Sequence, residues 1–281
     1  MPALEDTGRI ERMLVDRLPD APGLMIALYA ERMGDSSISS TGIHPTKAGA
    51  RDRCVSELAE RRALSGQATQ PLGSAAHPNK GEALTRAIHE AVERLAAGLW
   101  WNGRHAAALD PYLLKEARRL EATWQKAPTA HSGFWDVSLP ELPPVIVAWS
   151  AGIDQGSVCF GIACATDPVV TVAAAAKELC QMEFGLSLAL RRHARGDPLS
   201  NTDALAVTRA GGMHLSSCPV VPRDMVDADR EPVAQTVMQR LGQHAQGLRT
   251  EVLRDQDLNR WVALIHGRPR ISETSAWPLY L

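Results

Sequence analysis

The strongest constraint on how this chain can fold is a short pattern that occurs twice in one register. ARDRCVSELAER sets out Ala50, Arg53, Glu57, Glu60 and Arg61, and ALTRAIHEAVER sets out Ala83, Arg86, Glu90, Glu93 and Arg94 at the same intervals. A degenerate third copy, TVAAAAKELCQM, has Thr171 and Ala174 at the first two positions and Glu178, Gln181 and Met182 at the last three. On a helix, residues three and four apart share a face. Each of the first two segments therefore presents two carboxylates bracketed by guanidinium groups, with Arg53 and Arg61 flanking Glu57. Either copy alone reads as a solvated helix laced with ion pairs worth ~0.2–0.5 kcal/mol each. Repetition in register, each time behind a Gly/Ser-rich stretch, argues for a site. In the third copy Glu178 and Gln181 interrupt an Ala-rich helix, where a carboxylate is costly unless something pairs it.

The elements around the repeats mix helices and strands without strict alternation, which predicts an α+β fold. Residues Met1 to Leu18 read as a short amphipathic helix and Leu24 to Tyr29 as a buried strand. Gly34 to Pro45 and Gln67 to Gly81 read as loops from their Gly, Ser and Thr content. Helices are expected over Lys47–Leu64, Glu82–Trp101 and Tyr112–Lys126. A strand within Pro140–Ser150 precedes a hairpin partner at Val158–Cys164. Thr166-Asp167-Pro168 then opens a helix running to about Arg192, with a cap followed by Pro in the first turn. Arg195 to Pro222 carries no clear period. A helix over Glu231–His244 and strands at Leu248–Leu253 and Trp261–Ile265 close the chain, which reads as one domain: 1–33, a core at 34–192, and a C-terminal region at 193–281.

Composition excludes several classes. The 281 residues are 45% hydrophobic and 22% charged, an ordinary globular balance. The net charge of −2 gives no global attraction to nucleic acid or an anionic membrane, so any phosphate site must be local. No apolar run approaches the roughly 18 residues of a membrane span. The cysteines, Cys54, Cys159, Cys164, Cys180 and Cys218, are odd in number and never spaced CxxC. With no cationic-then-apolar leader to read, free thiols in a reducing cytoplasm are expected, and zinc is not.

Paired carboxylates beside arginines suit a magnesium–nucleotide complex. Magnesium takes hard oxygen ligands, often one or two carboxylates plus phosphate oxygens, and Arg offers a planar fork to phosphate. The stretches Ser36–Gly42, containing Ser40, and Gly73–Gly81 could turn backbone N–H groups toward phosphates near helix starts. Neither fits GxxxxGK(S/T), and GxGxxG is absent, so P-loop and Rossmann readings fail.

At these residues the sequence resembles the YcaO family. Three blocks carry the resemblance: Gly42 to Arg61, the stretch GSAAHPNKGEALTRAIHEAVERLAAGLWW from Gly73 to Trp101, and GIACATDPVVTVAAAAKELCQ from Gly161 to Gln181. The resemblance covers most of the chain, roughly Gly23 to Pro269. The resemblance implies ATP and Mg2+ as cofactors in a YcaO-like α+β fold, with mixed sheets and ExxER/ExxQ helices around the ATP site. It implies that Glu57, Glu60, Glu90 and Glu93 are metal or nucleotide ligands, and that Arg61 and Arg94 contact phosphate. Glu82 matches an acidic position of the family, Glu178 and Gln181 complete the site, and Ser40 and Lys47 stand as first-block candidates. The implied reaction is ATP-driven activation of a backbone amide in a ribosomally made precursor peptide, foremost cyclodehydration of Cys, Ser or Thr to azolines in peptide-antibiotic (bacteriocin) biosynthesis. A separate leader-peptide-binding protein is the implied partner, and a homodimer is compatible.

Two alternatives stay open: thioamide or amidine formation through the same activated amide, and a non-catalytic YcaO-like scaffold that binds peptide for a partner enzyme. The chain departs from the family pattern where Arg53 replaces a serine and where a last-strand arginine is Val262, with Arg260 and Arg268 nearby. The residues His77, His89 and His105 read as surface or hydrogen-bonded imidazoles. Trp100 and Trp101 read as core and helix-end packing. Cys164 has no evident base and is a poor nucleophile.

Overall fold

The computed structural model describes residues 13–33, 36–65, 67, 69–102, 106–153, 157–212, 222–223 and 234–269. In chain order the strands are β1 (Leu14–Leu18), β2 (Ala21–Met33), β3 (Ser36–His44), β4 (Gly73–His77), β5 (Ala106–Ala108), β6 (His131–Asp136), β7 (Val145–Ala151), β8 (Cys159–Cys164), β9 (Pro222–Arg223), β10 (Ala245–Asp255) and β11 (Arg260–Pro269). The helices are α1 (Lys47–Leu64), α2 (Lys80–Trp101), α3 (Pro111–Thr123), α4 (Pro168–Arg195), α5 (Asn201–Gly212) and α6 (Ala234–His244). The class is the mixed α and β one that the sequence predicts. Contacts divide the chain into two compact units, one of Met1–Leu18, Pro22–Ala91 and Gly247–Arg268, the other of Pro19–Ala21, Val92–Gln246 and Pro269–Leu281.

The first unit holds two three-stranded sheets, ordered β1-β2-β3 and β10-β11-β4. Both β3 and β4 are end strands. β2 and β3 pair antiparallel from Met25↔His44 to Met33↔Ser36, and β11 pairs with β4 from Trp261↔His77 to Ile265↔Gly73. α1 packs on both β3 and β4. It starts where Thr46 accepts a hydrogen bond from Gly49 N and ends with Arg61 and Arg62 in its last turn, the sign the helix dipole favours there. Its buried face, Ala50, Cys54, Leu58 and Ala59, joins Tyr29, Ala76, Val262 and Leu264 in one core.

The second unit is built on a five-stranded sheet ordered β8-β7-β6-β5-β9. β7 and β8 form the expected antiparallel hairpin, Val145↔Cys164 through Ser150↔Cys159. α4 covers this hairpin. Asp167 caps it by accepting from Val169 N and Val170 N, Pro168 follows at its start, and Gly196 ends it at φ +74°. Trp100, Trp135 and Phe160 pack edge-on or tilted against one another within this unit, with Trp100 fully buried as core packing predicts.

Three sequence expectations are corrected. Leu14–Leu18 is a strand, because β2 offers it a ladder that an isolated short helix lacks. Strands run through both supposed loops: β3 fills most of the first, and β4 takes Gly73–His77 of the second. Their small residues serve close packing: a Cβ on Gly42 would lie 2.2 Å from Ala50 O, and one on Gly73 would lie 2.2 Å from Ala87 O. The same approach recurs at Gly161, where a Cβ would meet Leu179 N at 2.2 Å. The aperiodic stretch after Arg195 contains α5, and β6 was not foreseen at all.

One ion-pair network in the first unit links separate elements. Arg62 donates to both oxygens of Glu31 at 2.7 and 2.8 Å, Tyr29 OH also reaches Glu31 at 3.2 Å, and Asp255 stands 3.8 Å from Arg62. The Arg62 and Glu31 side chains are only 17% and 11% exposed, so losing one partner strands a charge. Arg62→Ala should cost about 2–3 kcal/mol in urea unfolding, somewhat below the cost of breaking a fully buried pair. A loss under ~0.5 kcal/mol would show the pair to be solvated.

Candidate functional site

The glutamates of α1 and α2 are anchored by strand backbone. Glu57 Oε2 accepts the Thr41 N–H at 2.9 Å and the Thr41 hydroxyl at 3.2 Å. Glu90 Oε2 accepts the Ser74 N–H at 2.6 Å and its hydroxyl at 3.3 Å. Glu60 Oε1 accepts the Ala76 N–H at 2.8 Å. Since β3 and β4 end their sheets, these amides face away from a neighbouring strand. Ser74 and Ala76, two apart, point their N–H groups to the same edge. A buried amide without a partner is costly, and a carboxylate is the strongest acceptor available to it. The glutamates therefore close the open sheet edges while tying each strand to a helix.

The arginines divide unevenly. Arg61 forks onto Glu57 Oε1 through Nε at 2.8 Å and Nη2 at 2.6 Å. The other predicted flank, Arg53, takes no hydrogen bond or ion pair with Glu57. Both oxygens of Glu57 are thus already occupied, by Arg61 on one side and Thr41 on the other. Arg260, the cation nearest to the position where the resemblance expects a last-strand arginine, is pinned to α1 by Asp52 and by Ser56 Oγ at 3.3 Å.

The other candidates are spread over both units. Ser40 is buried, with its hydroxyl 3.2 Å from Cys54 Sγ. Lys47 and Glu82 are exposed in the first turns of α1 and α2. The Glu82 N–H donates to Asn79 Oδ1 at 3.1 Å. Within the second unit Glu93 and Arg94 are half-buried on α2, and Glu178 and Gln181 are half-buried on α4. His89 is half-buried, and burial lowers its pKa, with Arg86 adding to the effect and Glu82 opposing it. His77 Nδ1 accepts the Asn79 N–H at 3.1 Å. His105 and Cys218 lie outside the described residues.

Sequence reasoning did not find Thr41, Ser74 and Ala76. Part of the signal was present, since Thr41 and Ser74 each precede their glutamate by 16 residues, whereas Ala76 follows Glu60 by the same number. A constant offset between a strand amide and a helical carboxylate is what a repeated strand–helix unit produces.

The described cysteines are free thiols. Burial is the main cause that raises Cys54 to about 11 and both Cys159 and Cys180 to about 12, and it raises Cys164 as well, with Glu93 adding to the effect there. A thiol raised in the folded state favours folding below its ordinary value of 9.0. That contribution is lost as pH climbs through the window up to the folded value. At pH 8 iodoacetamide should label these four cysteines at least ~10-fold more slowly in the native than in the urea-unfolded protein, by peptide mass spectrometry. Rapid native labelling of Cys164 would instead mark a thiolate.

The family model described as YcaO cyclodehydratase, ATP- and Mg2+-binding, matches residues 64–259. The chain belongs to the YcaO family. No curated protein sequence matches it. The YcaO protein of Methanopyrus kandleri, solved bound with AMPPCP and Mg2+, aligns at a TM-score of 0.62 and 15% identity, over 91% of this chain and 84% of that one. A heterocyclase in complex with substrate and cofactor aligns at 0.64 and 15% identity over 92% of this chain, which spans about half of it (49%). The E. coli microcin synthetase McbBCD complex aligns at 0.63 and 11% identity, over 90% and 86% of the two chains. At these identities the likeness is one of fold.

The donor set fits a magnesium-bound nucleotide in kind. It consists of hard carboxylate oxygens with guanidinium groups on the same helices. Among the described residues no three His, Cys, Asp or Glu side chains gather to hold a metal by themselves. A magnesium ion here would draw its remaining ligands from phosphates and water, as it commonly does. Among the same residues no helix is long and apolar enough to cross a membrane.

Glu60 offers a direct check on the edge-closing role. Glu60→Ala should destabilise the protein by about 1.5–3 kcal/mol, the range for a hydrogen bond to a charged group, whereas Glu60→Gln keeps an acceptor and should lose less. Equal losses in thermal unfolding would mean that the bond to Ala76 contributes nothing.

Proposed function

We propose that this chain uses ATP and Mg2+ to activate a backbone amide of a ribosomally made precursor peptide, foremost in converting Cys, Ser or Thr to an azoline. The observation that carries this reading is the family match over residues 64–259, which contains the Glu90-Glu93-Arg94 and Glu178-Gln181 motifs. The heterocyclase and microcin synthetase neighbours add support at the level of fold. Bound ATP would supply the phosphoryl group that makes the amide oxygen a leaving group.

The chain's own residues would bind and orient. Glu90 and Glu60 hold their carboxylates in place through Ser74 and Ala76, so no reorganisation is needed when a cation arrives. Within the second unit, taken by itself, the half-buried Glu93, Glu178 and Gln181 would offer oxygen ligands and Arg94 a phosphate fork. Glu57 gives one oxygen to Arg61 and the other to Thr41, so a cation there would have to share them. In the azoline reaction the side-chain oxygen or sulfur bonds to the preceding carbonyl carbon, ATP becomes ADP and phosphate, and the peptide loses one water. Positioning and charge neutralisation are enough for this chemistry. The peptide, a leader-binding partner and action in the cytoplasm belong to the same proposal.

The occupied Glu57 carboxylate and the buried Ser40 hydroxyl favour one second reading, a scaffold that holds peptide for a partner enzyme. Calorimetry with ATP and Mg2+ separates the two. The enzyme reading expects binding that Glu90→Gln weakens at least ~10-fold, as loss of a charged ligand does, while the amide still accepts the Ser74 N–H and keeps the fold. Binding absent in the wild type, or unchanged in Glu90→Gln, would leave the scaffold. Product mass then sorts loss of water from exchange of oxygen for sulfur.

A further inference from the structure

In the first unit Trp261, near the start of β11, lies directly opposite His77, the last residue of β4, so the two share a face at one end of their sheet. Two cations come to the half-buried Trp261 ring. The Lys80 ammonium stands 5.4 Å from its centroid and the Arg254 guanidinium carbon 4.9 Å. Lys80 opens α2, Arg254 lies on β10, and both side chains are exposed. Among the described residues neither cation has a carboxylate within ion-pair reach. The acids beside them in sequence do not fill that role: Asp255 accepts the Leu258 N–H and faces Arg62, and Asp257 and Glu82 make no ion pair. Besides the ring, the Arg254 side chain has only the amide oxygen of Asn259. Arg62 and Arg260 of the same unit are by contrast committed to Glu31 and Asp52. Lys80 also stands in the first turn of its helix, where the dipole disfavours a cation. His77 adds a donor, because its Nδ1 accepts the Asn79 N–H at 3.1 Å and the neutral ring then carries its proton on Nε2.

We propose that Trp261, Lys80, Arg254 and His77 form a docking surface for an extended acidic peptide segment. Carboxylates of the segment pair with Lys80 and with the Arg254 fork, and their methylene stems lie on the indole. The charges are complementary, and the ring decides between anions. A free phosphate would engage the cations alone, whereas the half-buried indole offers the apolar contact that a peptide can use. The surface shares no residue with those assigned to the nucleotide, and it rests on the reading above only for the source of the segment, the precursor peptide.

The test uses the full chain and fluorescein-labelled octaglutamate, followed by fluorescence anisotropy at low salt without ATP or magnesium. Wild type should bind, and the double variant Lys80→Gln/Arg254→Gln, changed only at exposed positions, should bind ~10- to 100-fold more weakly, the loss expected for charge-assisted contacts. Trp261→Ala, checked for a native circular dichroism spectrum, should lose ~3- to 10-fold as its aromatic contact goes. Arg249→Gln, another exposed arginine of β10, should leave binding unchanged. Three results would overturn the surface: no octaglutamate binding by wild type, an equal loss in Arg249→Gln, or affinity indifferent to Trp261→Ala, which would mark a patch that any polyanion such as tripolyphosphate occupies. ATP·Mg2+ binding should be the same in wild type and the double Gln variant. Wild type that binds ATP·Mg2+ but not octaglutamate would sink the surface and spare the nucleotide reading. Octaglutamate binding that depends on Lys80, Arg254 and Trp261, in a protein that ignores ATP·Mg2+, would do the reverse.

Discussion

A carboxylate on a helix accepting the N–H of an end strand is the interaction on which the first unit depends. It occurs at Glu57, Glu60 and Glu90. Each instance satisfies a main-chain donor that no strand covers and fixes the angle at which helix meets strand. The tight approach at Gly42 and Gly73 serves the same end, since a short side chain such as Glu reaches the amide only when helix and strand nearly touch. Glycine on the strand and glutamate on the helix are two halves of one device.

This gives the repeated pattern a double meaning. A carboxylate that closes a sheet edge is also held still, with one oxygen defined in direction. Such preorganisation is what a metal–nucleotide site asks for, because a ligand that is already ordered loses little entropy on binding. Structure and function therefore select the same residue type at the same spacing, and a pattern of glutamates alone does not separate them. Glu57 illustrates the structural limit, with Arg61 and Thr41 filling its two oxygens. Glu90 and Glu60 each have one oxygen directed by a strand amide.

Much of this was legible in the sequence. α1 has the bounds that its period and last-turn arginines predict, and the cap at Asp167 with Pro168 announces α4. The β7–β8 hairpin follows from its apolar runs. What escaped was decided by contacts between distant residues. Ser36–His44 and Gly73–His77 carry the Gly, Ser and Thr of a loop, and only the nearness of Ala50 and Ala87 explains why those small residues form strands instead. Leu14–Leu18 took its state from β2, a partner that helical periodicity does not weigh. At the site, the glutamates were visible and their donors were not, because a backbone N–H has no letter in a sequence. The pairing of Arg53 was misread for a related reason: two arginines compete for Glu57, and spacing cannot rank them.

The closed edge of β4 bears on how a peptide could be held. Many proteins capture an extended chain by letting it lie alongside an end strand and complete the ladder of main-chain bonds. β4 is five residues long, one side belongs to β11, and on the other the Ser74 and Ala76 amides are already given to Glu90 and Glu60. An incoming strand would find no donors there unless it first displaced two carboxylates. Closing the edge of β4 with carboxylates thus also protects it from pairing with another chain.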